Sequence, residues 1–331
     1  MLQNMIMQVS AVHKGRYELL AENGRVFAKL KAGIYRKNDE PYPTTGDYVD
    51  VMPNPEGDSL IVKTHERKSC FTRLYPDKNK PHEQALAANF DTVFIMQSLN
   101  QDFNLRRIER YLALAWQSGG RPVIILTKGD LIDDPSQHIC ELETVAMGVD
   151  IIAISAVTGK GLDSLSKYIQ PGMTVVFLGS SGVGKSSLLN ALMGEKIMEV
   201  NEIRDDDAKG RHTTTHRQLV RLPNGAFVID TPGMRELGMW DAAEGIGEAF
   251  SDVEASLDAC RFSDCQHQTE PGCAVRLAIE SGEITQERWD SYLKLKRETL
   301  YIENKAAAMR EKSARNKDIS AWVRRRKKET W

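Results

Sequence analysis

The sequence predicts a doubly wound α/β domain built around a phosphate-binding loop. It sits between a small all-β barrel and a helical, metal-binding C-terminal segment. Three observations carry this reading. Met173 to Asn190 reads as strand, glycine loop and helix; apolar strands alternate with amphipathic helices from about residue 91; and three cysteines and a histidine crowd into the stretch from Cys260 to Cys273. At 331 residues the chain is long enough for two or three domains. The expected boundaries are 1–70 for the barrel, 71–240 for the phosphate-loop domain and 241–331 for the helical metal domain.

Composition narrows the function classes. The apolar fraction of 41% and charged fraction of 27% suit globular cores. No apolar run nears the roughly 18 residues of a membrane helix, and the N-terminus lacks a basic start followed by a secretory apolar core. A cytoplasmic protein with no membrane partner is expected. The net charge of -2 hides an asymmetry: from Lys294 onward there are 13 Lys/Arg against 5 Asp/Glu, so the rest of the chain is acidic. Such a tail suits an anionic partner.

In chain order, five short strands are expected at Met7–Val12, Tyr17–Leu20, Arg25–Leu30, Asp47–Met52 and Ser59–Thr64. Turn chemistry separates them at Lys14-Gly15, Asn23-Gly24, Gly33, Pro41–Gly46 and Asn54–Gly57. Five strands in this length suit an OB-fold, a barrel that often binds nucleic acid. Phe71–His82, with two prolines and several charges, reads as a linker. Then come a strand at Asp91–Gln97, a helix at Leu105–Trp116, a strand at Pro122–Leu126, a helix at Ser136–Met147, a strand at Val149–Ile154 and a helix at Leu162–Ile169. This alternation is the grammar of a parallel sheet with helices on both faces.

The Met173–Leu178 strand leads into Gly179, Ser180, Ser181, Gly182, Val183, Gly184, Lys185, Ser186 and Ser187, which fit G-x-x-x-x-G-K-S. Glycines let the loop wrap so that successive N–H groups face phosphate oxygens, and the helix N-terminus adds positive potential there. Lys185 can bridge the outer phosphates, and the Ser186 hydroxyl is placed to hold magnesium.

Thr127, Lys128, Gly129 and Asp130 follow the Pro122–Leu126 strand, where doubly wound sheets bind ligands. The Asp130 carboxylate can accept from both N1–H and the 2-amino group of guanine; adenine offers neither, so it is rejected. Ser155-Ala156 after the next strand completes the base side. Asp230-x-x-Gly233 follows a hairpin (Arg217–Leu222, Pro223-Asn224-Gly225, Ala226–Ile229) and supplies the phosphate side: Asp230 toward magnesium through water, Gly233 toward the terminal phosphate. One of Thr213, Thr214 and Thr215, in the polar stretch Glu195–His216, can close over the metal. The bound nucleotide is therefore expected to be GTP or GDP with magnesium.

Ordinary GTPases run phosphate loop, threonine switch, D-x-x-G, base lysine–aspartate, then Ser-Ala. Here the last two come first, a circular permutation that leaves the site intact in space. It also leads the D-x-x-G segment directly into the C-terminal domain. There, Cys260-x4-Cys265-x-His267-x5-Cys273 matches a closed structural zinc site, and a reducing compartment disfavours the disulfide alternative. Its flanking sequence offers little core, so the metal is expected to carry local folding. Cys70 and Cys140 are isolated. Helices are expected at Ala274–Ser281 and Gln286–Arg310, and Arg324–Lys328 beside Trp322 and Trp331 suits RNA phosphates and stacking.

The permuted order, GSSGVGKSSLLN, GRHTTTH, DTPG and the Cys-Cys-His-Cys knuckle together resemble the ribosome small-subunit-dependent GTPase A family, bacterial assembly factors. The resemblance covers nearly the whole chain. It implies GTP hydrolysis stimulated by the small ribosomal subunit, a role in late maturation of that subunit, and rRNA contacts from barrel and zinc domain; a monomer is expected. Thr127 departs from the family's usual asparagine, which puts base affinity, not guanine selection, in doubt. Met234 stands where many GTPases place a water-orienting glutamine just after the D-x-x-G glycine, so another group must orient the water. His212 is the candidate, supported by the resemblance, and His216 the alternative. A GTP-gated RNA-binding module without stimulated hydrolysis is the competing reading. An ATP-using nucleic-acid enzyme is disfavoured by Asp130.

Overall fold

The computed structural model describes residues 4–21, 24–38, 40–54, 57–75, 82–100, 103–196, 217–230, 239 and 242–329. The barrel strands are β1 (Met5–His13), β2 (Arg16–Ala21), β3 (Gly24–Leu30), β4 (Tyr48–Met52) and β5 (Ser59–Thr64), matching the five expected from turn spacing. Their order β1-β2-β3-β5-β4 closes through a β1–β4 pairing. Val9, Leu19, Val49, Val51 and Ile61, at inward positions of a period-2 pattern, are fully buried in its core. Gly33 is not a turn: it lies in a short helix α1 (Ala32–Asn38), whose Tyr35 is buried and shares a hydrogen bond of 2.9 Å with Thr64.

The stretch expected to be a linker is instead flanked by two paired strands, β6 (Cys70–Tyr75) and β7 (His82–Ala88). Pro76 and Pro81 fall between them. Phe71 stacks on Phe90 at 4.9 Å and joins the main core with Leu86 and Ala87. The apolar and polar residues of β6 do not alternate strictly, and its register shifts between Phe71 and Thr72, so the local pattern does not declare a strand.

The central sheet follows the expected grammar. Strands β8 (Thr92–Ser98), β9 (Arg121–Thr127), β10 (Asp150–Ala153), β11 (Thr174–Gly179) and β13 (Phe227–Asp230) run parallel in the order β10-β9-β8-β11-β13, with β12 (Gln218–Arg221) antiparallel beside β13. Successive residues serve opposite faces. Val93, Ile95, Ile124, Leu126, Val176 and Leu178 pack on one side with helix α2 (Leu105–Gln117); Phe94, Met96, Val123, Ile125, Val175 and Phe177 pack on the other with helix α4 (Lys185–Met193). Burial on both faces explains why these strands are unbroken apolar runs. Two expected helices are shorter or different: α3 stops at Glu143 (Ser136–Glu143), and Leu162–Leu165 is a 3-10 turn.

The barrel is part of the same sheet. Ala11 of β1 pairs with Gln218 of β12, giving eleven strands in one hydrogen-bonded order. The barrel turn before β4 locks in: Thr45 Oγ1 donates to Arg217 O, Ala88 N–H donates to Thr45 O, and a side chain on Gly46 would collide with the Ala88 carbonyl.

Beyond the sheet lie α5 (Ala243–Ala249), α6 (Ser251–Asp258), α7 (Ala274–Ser281) and α8 (Gln286–Glu329). The first two were not anticipated, and α8 runs 44 residues, well past Arg310. The expectation of little core here fails: Ile246, Phe250, Val253, Val275, Ile284, Trp289 and Tyr292 are buried in the same cluster as α2. Gly245 fits where any side chain would strike the Ala113 carbonyl of α2, and its N–H donates to Gln117 Oε1 at 2.9 Å.

Candidate nucleotide and metal sites

Gly179 ends β11 where a Cβ would lie 2.7 Å from Met96 O, so only glycine fits. Gly184 caps α4 at φ 106°, a left-handed conformation that glycine adopts without strain. From there Lys185 folds back, its Nζ donating to Gly179 O at 2.8 Å and Ser180 O at 2.7 Å. Those carbonyls hold the ammonium over the mouth of the loop. Ser186 and Ser187 continue the first turn of α4.

The base loop is built as tightly. Lys128 takes φ 58°, turning the chain sharply after β9. Gly129 N–H donates to Ile154 O at 2.9 Å, and a Cβ on Gly129 would approach that oxygen to 3.0 Å. Ser155, 1% exposed, donates through Oγ to Asp130 Oδ1 at 2.5 Å while accepting from Thr158 N–H. Asp130 itself is exposed. Thr127 Oγ1 donates to Val183 O at 2.5 Å, tying the base strand to the phosphate loop.

A cavity of about 190 Å³ opens between the two loops. Thr127, Lys128, Asp130 and Ala156 line it from one side, Gly184, Ser187 and Leu188 from the other. The chain thus brings residues 127–130 and 155–156 to the phosphate loop despite their reversed sequence order. Leu131, Val157 and Ile154 also line it and were missed. Leu131 and Val157 are 59% and 83% exposed; an apolar residue directly after each polar loop motif was the available signal. Asp230, 6% exposed, ends β13, in the parallel neighbour of the phosphate-loop strand. His212, Thr213, Thr214, Thr215, Gly233 and the alternative His216 lie outside the described residues.

Thr127→Val keeps the volume but leaves the Val183 carbonyl without its donor. We expect a loss of about 1–2 kcal/mol, or roughly five- to thirtyfold weaker GTP binding if the loss falls wholly on the loop. Isothermal titration with GTP against wild type measures it, and equal affinities would remove Thr127 from the site.

In the C-terminal segment, Cys260, Cys265, His267 and Cys273 present ligand atoms all within 4.8 Å of one another. His267 Nδ1 stands 3.6 Å from Cys260 Sγ and 3.5 Å from Cys273 Sγ. Bond lengths near 2.3 Å for Zn–S and 2.0 Å for Zn–N in a tetrahedron put ligands about 3.5 to 3.8 Å apart, so this donor set fits zinc. Burial pushes the Cys265 thiol up to about 11. For Cys260 burial acts the same way, but hydrogen bonds from the Val275 and Ala274 N–H groups and from the Cys273 and Cys265 thiols together outweigh it and its pKa falls. His267 reaches the cluster at φ 60° with its ring edge-on to Trp289 of α8. Glu270 organises the turn: its carboxylate accepts from the N–H groups of Gln266, Gln268 and Thr269, which bring its pKa down to about 2. Glu270→Ala should lower zinc affinity about tenfold, read by competition with a chromophoric chelator. Cys70, by contrast, is pushed up to about 12 by burial, which leaves a poor nucleophile.

Comparison with known proteins adds three findings. Residues 64–240 match the family model for RsgA GTPase. The curated protein named small ribosomal subunit biogenesis GTPase RsgA 2 of Listeria monocytogenes is 45% identical over 320 residues, covering 96% of this chain and 90% of the relative; the one named RsgA in Streptomyces avermitilis is 48% identical over 305 residues, covering 91% and 81%. Among solved structures, YjeQ from Thermotoga maritima aligns with TM-score 0.66 at 30% identity over 90% of this chain and 99% of its own. YloQ, described as a circularly permuted GTPase, aligns at 0.61 and 27%, over 88% and 93%.

Proposed function

The chain belongs to the RsgA GTPase family, and on that premise we propose that it binds GTP in the cavity between residues 127–131 and the phosphate loop and hydrolyses it on the small ribosomal subunit. The observation that carries this is Asp130 and the first turn of α4 lining one cavity. A guanine stacked beside Leu131 and Val157 meets the Asp130 carboxylate with N1–H and the 2-amino group. Ser155 holds that carboxylate in place from behind. Lys185 turns from loop carbonyls to phosphate oxygens, exchanging neutral acceptors for charged ones.

Ser186 and Asp230 are the chain's oxygen donors for magnesium, a hard cation, which supplies charge neutralisation on the phosphates when bound. Met234 offers no hydrogen bond to an attacking water, so turnover is slow until His212, or a group from the subunit, orients it. The curated relatives are named for small-subunit biogenesis, and the basic C-terminal sequence and OB-type barrel support contact with rRNA during late maturation. A working monomer is part of this reading. Among the described residues no helix is long and apolar enough to cross a membrane. The curated relatives' naming for small-subunit biogenesis supports work in the cytoplasm beside nascent ribosomes. Zinc in the cysteine–histidine cluster serves structure.

The test is GTP turnover with and without purified small subunits. We expect slow basal hydrolysis, strong stimulation, and loss of stimulated turnover with retained GTP binding in His212→Ala. An unchanged rate on addition of subunits would favour the second reading, a GTP-gated RNA-binding module, which Met234 already makes chemically reasonable.

A further inference from the structure

A buried charge cluster that nucleotide binding does not use joins α2 to the C-terminal helices. Glu109 of α2 is fully buried. It accepts from Arg106 Nη1 at 2.8 and 2.9 Å, from Arg288 Nη1 at 3.1 Å and from Ser291 Oγ at 2.5 Å. Arg288, 3% exposed, also grips Asp252 of α6 with two bonds of 2.6 Å and donates to Ala249 O. The next residue, Arg110, makes a two-pronged pair with Glu298 at 2.6 and 2.7 Å. Three acids and three guanidinium groups thus face each other across this joint, and taking away the buried Arg288 would leave Glu109 and Asp252 without the cation they share. Such a joint resists sliding. α2 and the root of α8 have to move together.

The two ends of this assembly are what give it meaning. At the N-terminus of α2, capped by Asn104, Arg107 Nη1 reaches to 3.5 Å from Ser180 Oγ of the phosphate loop, next to the carbonyl that holds Lys185. At the far end, α8 leaves the core after Ile302 and continues helical to Glu329, a span of about 40 Å at 1.5 Å per residue. A tilt of about 5° at its root moves its tip by about 4 Å, given that length.

We propose that the α2–α8 clamp is a coupling joint: it makes the placement of the α8 arm depend on what occupies the phosphate loop, through Arg107 at one end and Glu109 and Arg110 at the other. This rests on the reading of the cavity as a guanine-nucleotide site. By linkage, a partner that fixes the arm changes nucleotide affinity by the same factor. Subunit contact far from the nucleotide would thereby reach the phosphate loop through α2, independently of the D-x-x-G segment.

Hydrogen exchange read by mass spectrometry on the full zinc-loaded chain tests it, without ribosomes. Peptides covering residues 286–300 should exchange about tenfold differently with GDP and with a non-hydrolysable GTP analogue, a mid-range coupling. In Arg110→Ala and Glu298→Ala both nucleotides should still bind, and the difference should vanish. The charge-swapped double variant Arg110→Glu with Glu298→Arg should restore it. Arg107→Ala should abolish the difference without loosening the root. Equal exchange in both nucleotide states of the wild type, or a difference that survives in the single variants, overturns the joint. So does a swapped variant whose root is protected again but insensitive to nucleotide, because the pair is then mere packing. A chain that binds neither nucleotide overturns the guanine-site reading as well, and titration of each nucleotide separates that failure from the others.

Discussion

Asp130→Asn should weaken GTP binding by about a hundredfold to a thousandfold while leaving the fold intact. Two hydrogen bonds from guanine to a carboxylate are each worth about 1.5–3 kcal/mol. The asparagine amide keeps one acceptor but turns an N–H₂ group toward a guanine donor. Its oxygen would stay with the Ser155 hydroxyl, which donates to Oδ1 in the native chain, so the wrong end of the amide faces the base. The same swap should favour xanthine nucleotides, whose C2 carbonyl accepts from that amide. Competition of GTP and XTP against a fluorescent nucleotide reads both effects. Retention of GTP affinity within about threefold, well below one such hydrogen bond, would place the base elsewhere.

Zinc removal is the second large effect. Structural zinc contributes on the order of 10 kcal/mol to folding a knuckle. Here that energy is local. The loop from Cys260 to Cys273 depends on the metal, whereas Phe250, Val253, Trp289 and Tyr292 remain anchored in the core shared with α2. Chelation or Cys273→Ser should therefore abolish amide protection across residues 260–273 and leave GTP affinity within about twofold, since distant independent sites usually behave additively. Subunit-stimulated turnover should fall. Freshly purified protein without one equivalent of zinc by elemental analysis, or protection unchanged by chelator, would remove the metal from the account.

Much of this was legible in the sequence because the relevant signals are local. G-x-x-x-x-G-K-S after an apolar strand, and Thr127–Asp130 after another, need only a few neighbouring residues to declare themselves, and parallel strands buried on both faces read as uninterrupted Val/Ile/Phe runs. The closing of reversed motifs into one cavity follows from sheet order, where β9, β8 and β11 lie side by side. What escaped depends on distant partners. Phe71 looks like a linker residue until Phe90 stacks on it and the core shared with α2 encloses it. Leu131 and Val157 look like misplaced surface residues until they wall a cavity. Gly245 and Gly247 sit inside α5 against ordinary helix propensity, and Gly245 is required by the close approach of α2. Glu109 reads as an ordinary solvated charge on an amphipathic helix; only the folded chain shows Arg106, Arg288 and Ser291 closing around it.

The antiparallel contact between Ala11 and Gln218 bears on how truncated forms behave. Without the first 70 residues, β12 becomes a bare margin of the sheet, with unpaired amides and carbonyls where β1 had lain. Such margins recruit strands from other molecules. A chain shortened in this way would tend to self-associate, and its poor performance would mix lost RNA contact with stickiness. Keeping the barrel while changing only its outward-facing side chains separates the two.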